Sequence, residues 1–320
     1  MNNLIRFYNQ NRRKIFKIII IIIFLFLLLQ LFNFFAKDND KVVTKNDSKD
    51  SLEIEKKSNN AIISDQSLTS GKQLSGERLK NDSEIINKFL NYCNEGNLNE
   101  AYNILTDECK EEMYPTIDDF KKIYYDNTFG EKKKSYTIEN WMEDTYQVNI
   151  TEDSLATGRL DKNETKQDYI TVIEKDKTYK ININNYIGRK YVNKVTETEN
   201  IKFTIQSIDT YMDYQTYNIQ VENNTDNTVL LDTGDSTKSV YLLDSKKMKY
   251  YFYNNEIIKE KFKIQGKYKN TIKIKFNNSY SSSRTIKKIV FSNVILNYEE
   301  YSKTEDKTQY NDIEKLEINV

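Results

Sequence analysis

The sequence predicts an α+β protein in three parts: an N-terminal transmembrane helix, a domain of helices followed by strands, and an all-β sandwich. Three observations predict it. Residues 18–29 are an unbroken run of Ile, Leu and Phe. Apolar residues then recur at helical spacing from Ile85 to Tyr124. From Lys134 onward the apolar period falls to two.

The anchor comes first. Apolar character extends from Ile15 to Ala36, broken only by Lys17, Gln30 and Asn33, and its 22 residues match the roughly 20 needed to cross a bilayer. Arg6, Arg12, Arg13, Lys14 and Lys17 carry positive charge at its start with no carboxylate among them. The positive-inside rule therefore makes residues 1–14 a basic cytoplasmic terminus and places everything after residue 36 outside the cell membrane. A cleaved signal peptide begins the same way, but Asn33-Phe34-Phe35-Ala36-Lys37 lacks the small-x-small cleavage pattern. An uncleaved, single-pass signal-anchor is expected. Residues 37–80 contain no aromatic side chain and show no sustained period, so they read as a disordered linker spanning ~35–40 Å on average.

Residues 81–192 form the α+β domain. Asp82 or Ser83 caps a helix carrying Ile85, Ile86, Phe89, Leu90 and Cys93, which ends at Gly96. Asn97 to Glu100 reads as a capping box for a second helix with Ala101, Tyr102, Leu105, Cys109 and Met113. Pro115 breaks it, and Thr116 with Asp119 starts a third, containing Phe120, Ile123 and Tyr124. Strand alternation follows in Tyr136-Ile138-Asn140 and Tyr146-Val148-Ile150. Tyr169 to Ile173 and Tyr179 to Ile183 then flank a turn at residues 174–177.

A polar junction near Asn193 to Asn200 separates this domain from residues 198–300, and each part is expected to fold alone. There, seven or eight short apolar runs recur every 10 to 15 residues between turn signals such as residues 223–227, the pattern of a β-sandwich. Residues 301–320 are acidic and expected to be loose, with Leu316 to Val320 able to add an edge strand.

Composition excludes chemistry. In 320 residues there is no His, so Ser-His-Asp and Cys-His nucleophiles, a His base and His-ligated zinc cannot be built. The two cysteines, Cys93 and Cys109, are too few for a disulfide framework and lack metal-site spacing; a free buried pair and a single disulfide between helices both fit. Formal charge sums to zero but is uneven. Residues 82–190 hold 15 basic and 22 acidic side chains, whereas residues 200–298 hold 15 basic and 9 acidic. The two halves attract each other or face different partners.

Two stretches resemble known families. Asn87-Lys88-Phe89-Leu90, Glu95-Gly96-Asn97-Leu98-Asn99-Glu100-Ala101-Tyr102, Asp118 to Tyr124 and the hairpin around Lys175 resemble nuclear-transport-factor-2-like domains over about residues 82–186. That resemblance implies helices folded on a curved sheet to make a cone with a pocket. Membrane-anchored examples include conjugation-channel scaffolds and the N-terminal extension of resistance-type penicillin-binding proteins. Residues 217–225 and 289–292 resemble the immunoglobulin-like domains at the C-terminus of many Firmicute surface proteins, which mostly have no assigned activity.

Each candidate constellation has a plainer reading. Asp107, Glu108, Glu111, Glu112, Asp118 and Asp119 read as solvated helix faces rather than a metal or acid/base cluster. Asp232-Thr233-Gly234-Asp235 lacks the further ligands of a calcium loop and reads as a turn. Tyr124, Trp141, Tyr146 and Tyr169 either line the cone pocket or pack as core. Lys259, Lys261 and Lys263, with Lys273 and Lys275, alternate with apolar residues and form a solvent face or edge-strand protection, or else a basic face for an anionic envelope polymer, lipid headgroups or the acidic first domain. The expectation is a non-enzymatic envelope adaptor or scaffold without cofactor, binding a protein or an anionic polymer and no nucleic acid. A small-ligand sensor and a carboxylate-based enzyme are the alternatives.

Overall fold

Helix α1 (Gly76–Asn94) begins where the Ser75 hydroxyl accepts the Arg78 N–H at 3.2 Å, several residues before the expected cap at Asp82 or Ser83. Its buried Asp82, Ile86, Phe89, Leu90 and Cys93 lie on one face. It stops at Gly96, whose φ of +72° lets Asn97 N–H reach back to the Tyr92 carbonyl at 2.8 Å and Gly96 N–H to that of Cys93. The computed structural model describes residues 74–130, 132–152, 165–234, 236, 238–253 and 260–320. Among these no helix is long and apolar enough to cross a membrane; the apolar run 15–36 and the linker up to residue 73 lie outside them.

The second helix differs from expectation in two ways. Asn97 makes no side-chain cap; its amide donates to Glu95 at 2.8 Å. The helix is also split into α2 (Leu98–Ile104) and α3 (Asp107–Met113). Leu105 pairs with Ile181 as an isolated bridge, Thr106 N–H donates to the Ile181 carbonyl, and the Thr106 hydroxyl caps α3. Sheet pairing thus captures the one extended step between the two helices. The Thr116–Asp119 capping box is present in both directions and starts α4 (Ile117–Phe120), which runs through a π-helical turn (Lys121–Tyr125) into α5 (Asp126–Thr128).

Strands β1 (Lys134–Met142), β2 (Thr145–Glu152), β3 (Lys166–Lys175) and β4 (Thr178–Asn182) form an antiparallel meander in that order. The β3–β4 turn has positive φ at both Asp176 and Lys177, the two-residue turn whose twist matches the strands. On the core face Tyr136, Ile138 and Asn140 oppose Ile150, Val148 and Tyr146. These side chains close over α1 to α5 around Phe89, Phe120 and Tyr124.

The expected junction is instead a hairpin. Strand β5 (Tyr186–Glu197) starts with Tyr186 buried in the helical core and continues without a break into a second sheet by pairing with β6 (Ile201–Tyr211). That sheet has the order β12-β7-β6-β5, with β7 (Gln215–Asn223) and β12 (Lys269–Phe276). The other sheet joins β8 (Val229–Leu230), β9 (Val240–Asp244), β10 (Lys249–Tyr251), β11 (Lys263–Ile264) and β13 (Ile286–Ile295), and β13 also pairs with β14 (Ile313–Asn319). Both sheets contribute to one apolar core, in which Phe203 stacks on Phe291 with ring centres 5.9 Å apart. Gly266 is needed here because a side chain would meet the Asp226 backbone at 2.1 Å.

The C-terminal segment is ordered rather than loose. After α6 (Tyr298–Lys303), β14 buries Leu316 and Ile318 in the shared core, each a side chain whose burial is worth about 1.5–3 kcal/mol. The strand-rich second half therefore includes residues 301–320, and the described fold as a whole is α+β.

Candidate functional site

The four aromatics considered as pocket lining fall on opposite faces of the first sheet. Tyr146 opposes Asn140 on the core face, whereas Trp141, at a register shift between Asn140 and Met142, packs against Tyr169 and lines the open cleft with it. Likewise Asp168 and Ile170 are buried, and Tyr169 between them points outward. The structure thus separates Tyr124 and Tyr146 from Trp141 and Tyr169.

The inner pair is occupied with buried carboxylates. Tyr124 donates its hydroxyl to Asp168 at 2.7 Å, and Tyr146 donates to Asp82 at 2.8 Å, where Arg78 also binds. Burial pushes both carboxyls above the usual range, against the opposing pull of these hydrogen bonds. A third carboxylate, Asp209, accepts from Tyr186 at 2.8 Å and from Arg189 at 2.7 Å. Each is enclosed by a tyrosine and by backbone or arginine donors. Cys93 and Cys109 are free and buried, and burial pushes the Cys109 thiol up to about 12. Among the described residues no group of three or more carboxylates or thiols is placed to hold a metal ion.

The outer pair lines an open cleft of about 520 Å³. Trp141 and Tyr169 meet edge to face with ring centres 5.3 Å apart. Three loops complete the walls: Asn185 before β5, Met212 and Asp213 between β6 and β7, and Tyr280 after β12. Backbone hydrogen bonds fasten these loops side by side. Asn185 N–H donates to Asp168 at 3.1 Å, Met212 N–H to the Asn185 carbonyl at 2.9 Å, and Tyr280 N–H to the Met212 carbonyl at 2.7 Å. The buried Asp168 therefore anchors the cleft floor. Met212, Asp213 and Tyr280 lie in loops with no period, and nothing local in the sequence marks them.

The expected basic strands do not form one face. Lys263 lies in the sheet containing β13, and Lys273 and Lys275 lie in the other sheet. Lys263 pairs with Glu260 at 3.2 Å and sits over the Tyr298 ring; Lys275 lies 3.5 Å from the Tyr214 ring centre. Lys273 is bound to Glu112 of α3, which also accepts from Tyr211 at 2.7 Å and from Arg189 at 3.0 Å. Here the basic half does meet the acidic one. Lys261 is exposed, and Lys259 lies outside the described residues.

Positive charge without carboxylate partners collects elsewhere, with Lys249 lying 4.3 Å from the Tyr241 ring centre. The β9–β10 turn projects Lys246, Lys247, Met248 and Lys249, all exposed, and β13 begins beside it with Lys287 exposed and Arg284 over the Tyr250 ring at 4.5 Å. Asp244 is engaged in shaping the turn, accepting Lys246 and Met248 N–H, both at 2.8 Å. Among the described residues, no ion pair involves Lys246, Lys247, Lys249 or Lys287. Turn lysines carry no strand alternation, so the pattern of the sequence did not mark them.

No protein-family model matches the chain, and no curated protein matches it. One solved structure, a crystal structure of the yjhA protein from Bacillus subtilis, is similar over 40% of this chain and 97% of its own, at 9% identity and a TM-score of 0.28. A likeness of that size says nothing about fold or activity.

Proposed function

We propose that this protein is a non-enzymatic adaptor of the cell envelope, held by the apolar helix at residues 15–36 with its N-terminus in the cytoplasm, and that its outer part binds an anionic envelope polymer. On this reading the helices and first meander are a nuclear-transport-factor-2-like domain, and the two packed sheets are an immunoglobulin-like domain. The observation that carries it is the turn of β9 and β10, where Lys246, Lys247, Lys249 and Lys287 crowd one end of a sheet without carboxylate partners. Like charges held together without carboxylate partners repel one another, and an anionic chain relieves that repulsion. Exposed Met248 at the tip adds an apolar contact.

The test is binding of the full chain, in a neutral detergent, to labelled poly(glycerol phosphate). Each lysine near an anionic surface contributes about 1 kcal/mol, so changing all four to Gln lowers affinity by about two to three orders of magnitude. Binding also falls steeply with salt. Changing Lys261, Lys263 and Lys275 to Gln has a smaller effect, because Lys263 is already paired with Glu260 and lies in a different sheet from Lys275. Binding that survives high salt, or is unchanged in the fourfold variant, refutes the assignment and favours a protein partner.

A further inference from the structure

We propose that the cleft bounded by Trp141, Tyr169, Tyr280 and Asp213 is a binding site for an alkylammonium group. This site shares no lining residue with the lysine turn and is opposite to it in charge.

The cleft presents aromatic faces and edges from three different elements: Trp141 on β1, Tyr169 on β3 and Tyr280 after β12. Such a volume, about 520 Å³, lies in the range of small-ligand sites. Aromatic walls by themselves suit a sugar or an apolar ligand as well as a cation. The sign of the surrounding charge decides between them.

Asp213 belongs to the lining, and no Lys or Arg does. After burial, the Asp213 carboxylate is what raises the Tyr169 hydroxyl, and Glu143 and Asp144 at the β1–β2 turn do the same to Tyr280. Two cations border this region: Arg78 pairs with Asp144 at 3.4 Å, and Arg284 lies over the Tyr250 ring at 4.5 Å and donates to the Ser279 carbonyl at the cleft edge, so the charged residue within the lining itself is Asp213. Negative potential over aromatic walls is the environment that favours an organic cation, since ring quadrupoles and carboxylates attract it together. The walls also need no ordering on binding, because the chain of backbone bonds from Asp168 through Asn185 and Met212 to Tyr280 already holds the loops in place.

Trp141 is the single tryptophan of the chain, so intrinsic fluorescence reports on this cleft directly. The experiment titrates the full chain in dodecyl maltoside with choline, with n-butylammonium, and with 3,3-dimethylbutan-1-ol, the uncharged carbon isostere of choline. The expected result is a saturable change with millimolar affinity for a cation, at least about tenfold tighter than for the alcohol. Asp213 is exposed in its turn, so Asp213→Asn leaves the fold intact; it weakens the cation about three- to tenfold and leaves the alcohol unchanged. Tighter binding of choline points to a quaternary headgroup as the natural ligand, and tighter binding of butylammonium to a lysine side chain. Equal binding of alcohol and cation overturns the proposal, as does saturable binding of N-acetylglucosamine without either cation. Absence of any saturable change in fluorescence, checked by saturation-transfer NMR on the ligand methyl groups, overturns it too. Loss of polymer binding in the lysine variants bears on the other site alone.

Discussion

Replacing Arg189 with Ala tests whether the contact between the helical part and the second sheet depends on a buried charge network. Arg189 is 8% exposed, Asp209 is fully buried and Glu112 is 9% exposed, so this is an interior ion cluster. Removing the arginine leaves Asp209 with only the Tyr186 hydroxyl at 2.8 Å and the Asn218 amide at 3.0 Å. Glu112 keeps Tyr211 and Lys273. Breaking a buried pair by deleting one partner costs about 3–5 kcal/mol, and the surviving donors place this case near the lower end, at about 3 kcal/mol. For a unit of this size that corresponds to a fall in Tm of about 6–12 °C. The assay is urea and thermal unfolding of the fragment from Lys57 to Val320, followed by circular dichroism. The double variant Arg189→Ala, Asp209→Asn recovers part of the loss, because the stranded charge is gone. A cost below about 1 kcal/mol for Arg189→Ala, or a double variant as unstable as the two single losses added together, refutes the reasoning.

Two further outcomes follow from other parts of the fold. Glu317 on β14 lies between Lys288 at 2.5 Å and Lys315 at 2.6 Å, and these bonds hold its carboxyl down at about 2. Because the folded value is depressed, its stabilisation is present above the ordinary carboxylate range and is lost as pH falls from about 4.5 toward 2. Glu317→Gln therefore flattens the acid limb of the stability profile in that window, and an unchanged profile counts against the clamp. Cys93 and Cys109 are free, buried and held as neutral thiols, so the native protein reacts negligibly with an aromatic disulfide reagent at neutral pH and releases two thiols once unfolded. Zero thiols on unfolding would show a disulfide instead.

The sequence by itself determined what depends on neighbours along the chain. The face of α1 follows from Ile86, Phe89, Leu90 and Cys93, the stop at Gly96 from its tolerance of positive φ, and the start of α4 from the reciprocal bonds of Thr116 and Asp119. The strand alternation from Tyr136 to Ile150 and the β3–β4 turn are equally local. The absence of His excluded whole chemistries without any structure. Tertiary structure decided everything that rests on distant partners. Thr106 breaks the second helix because Ile181 is there to bond it, and β5 erases the expected junction because its ladder with β6 continues through it. Leu316 and Ile318 order the acidic tail because the sheet core has room for them. The sites belong to the same class. Trp141 and Tyr169 became a cleft only through loops contributed by Met212 and Tyr280, and Lys273 proved to be an internal partner of Glu112. Periodicity tells which face of an element is buried, but what that face meets is set by contacts between residues far apart in the chain.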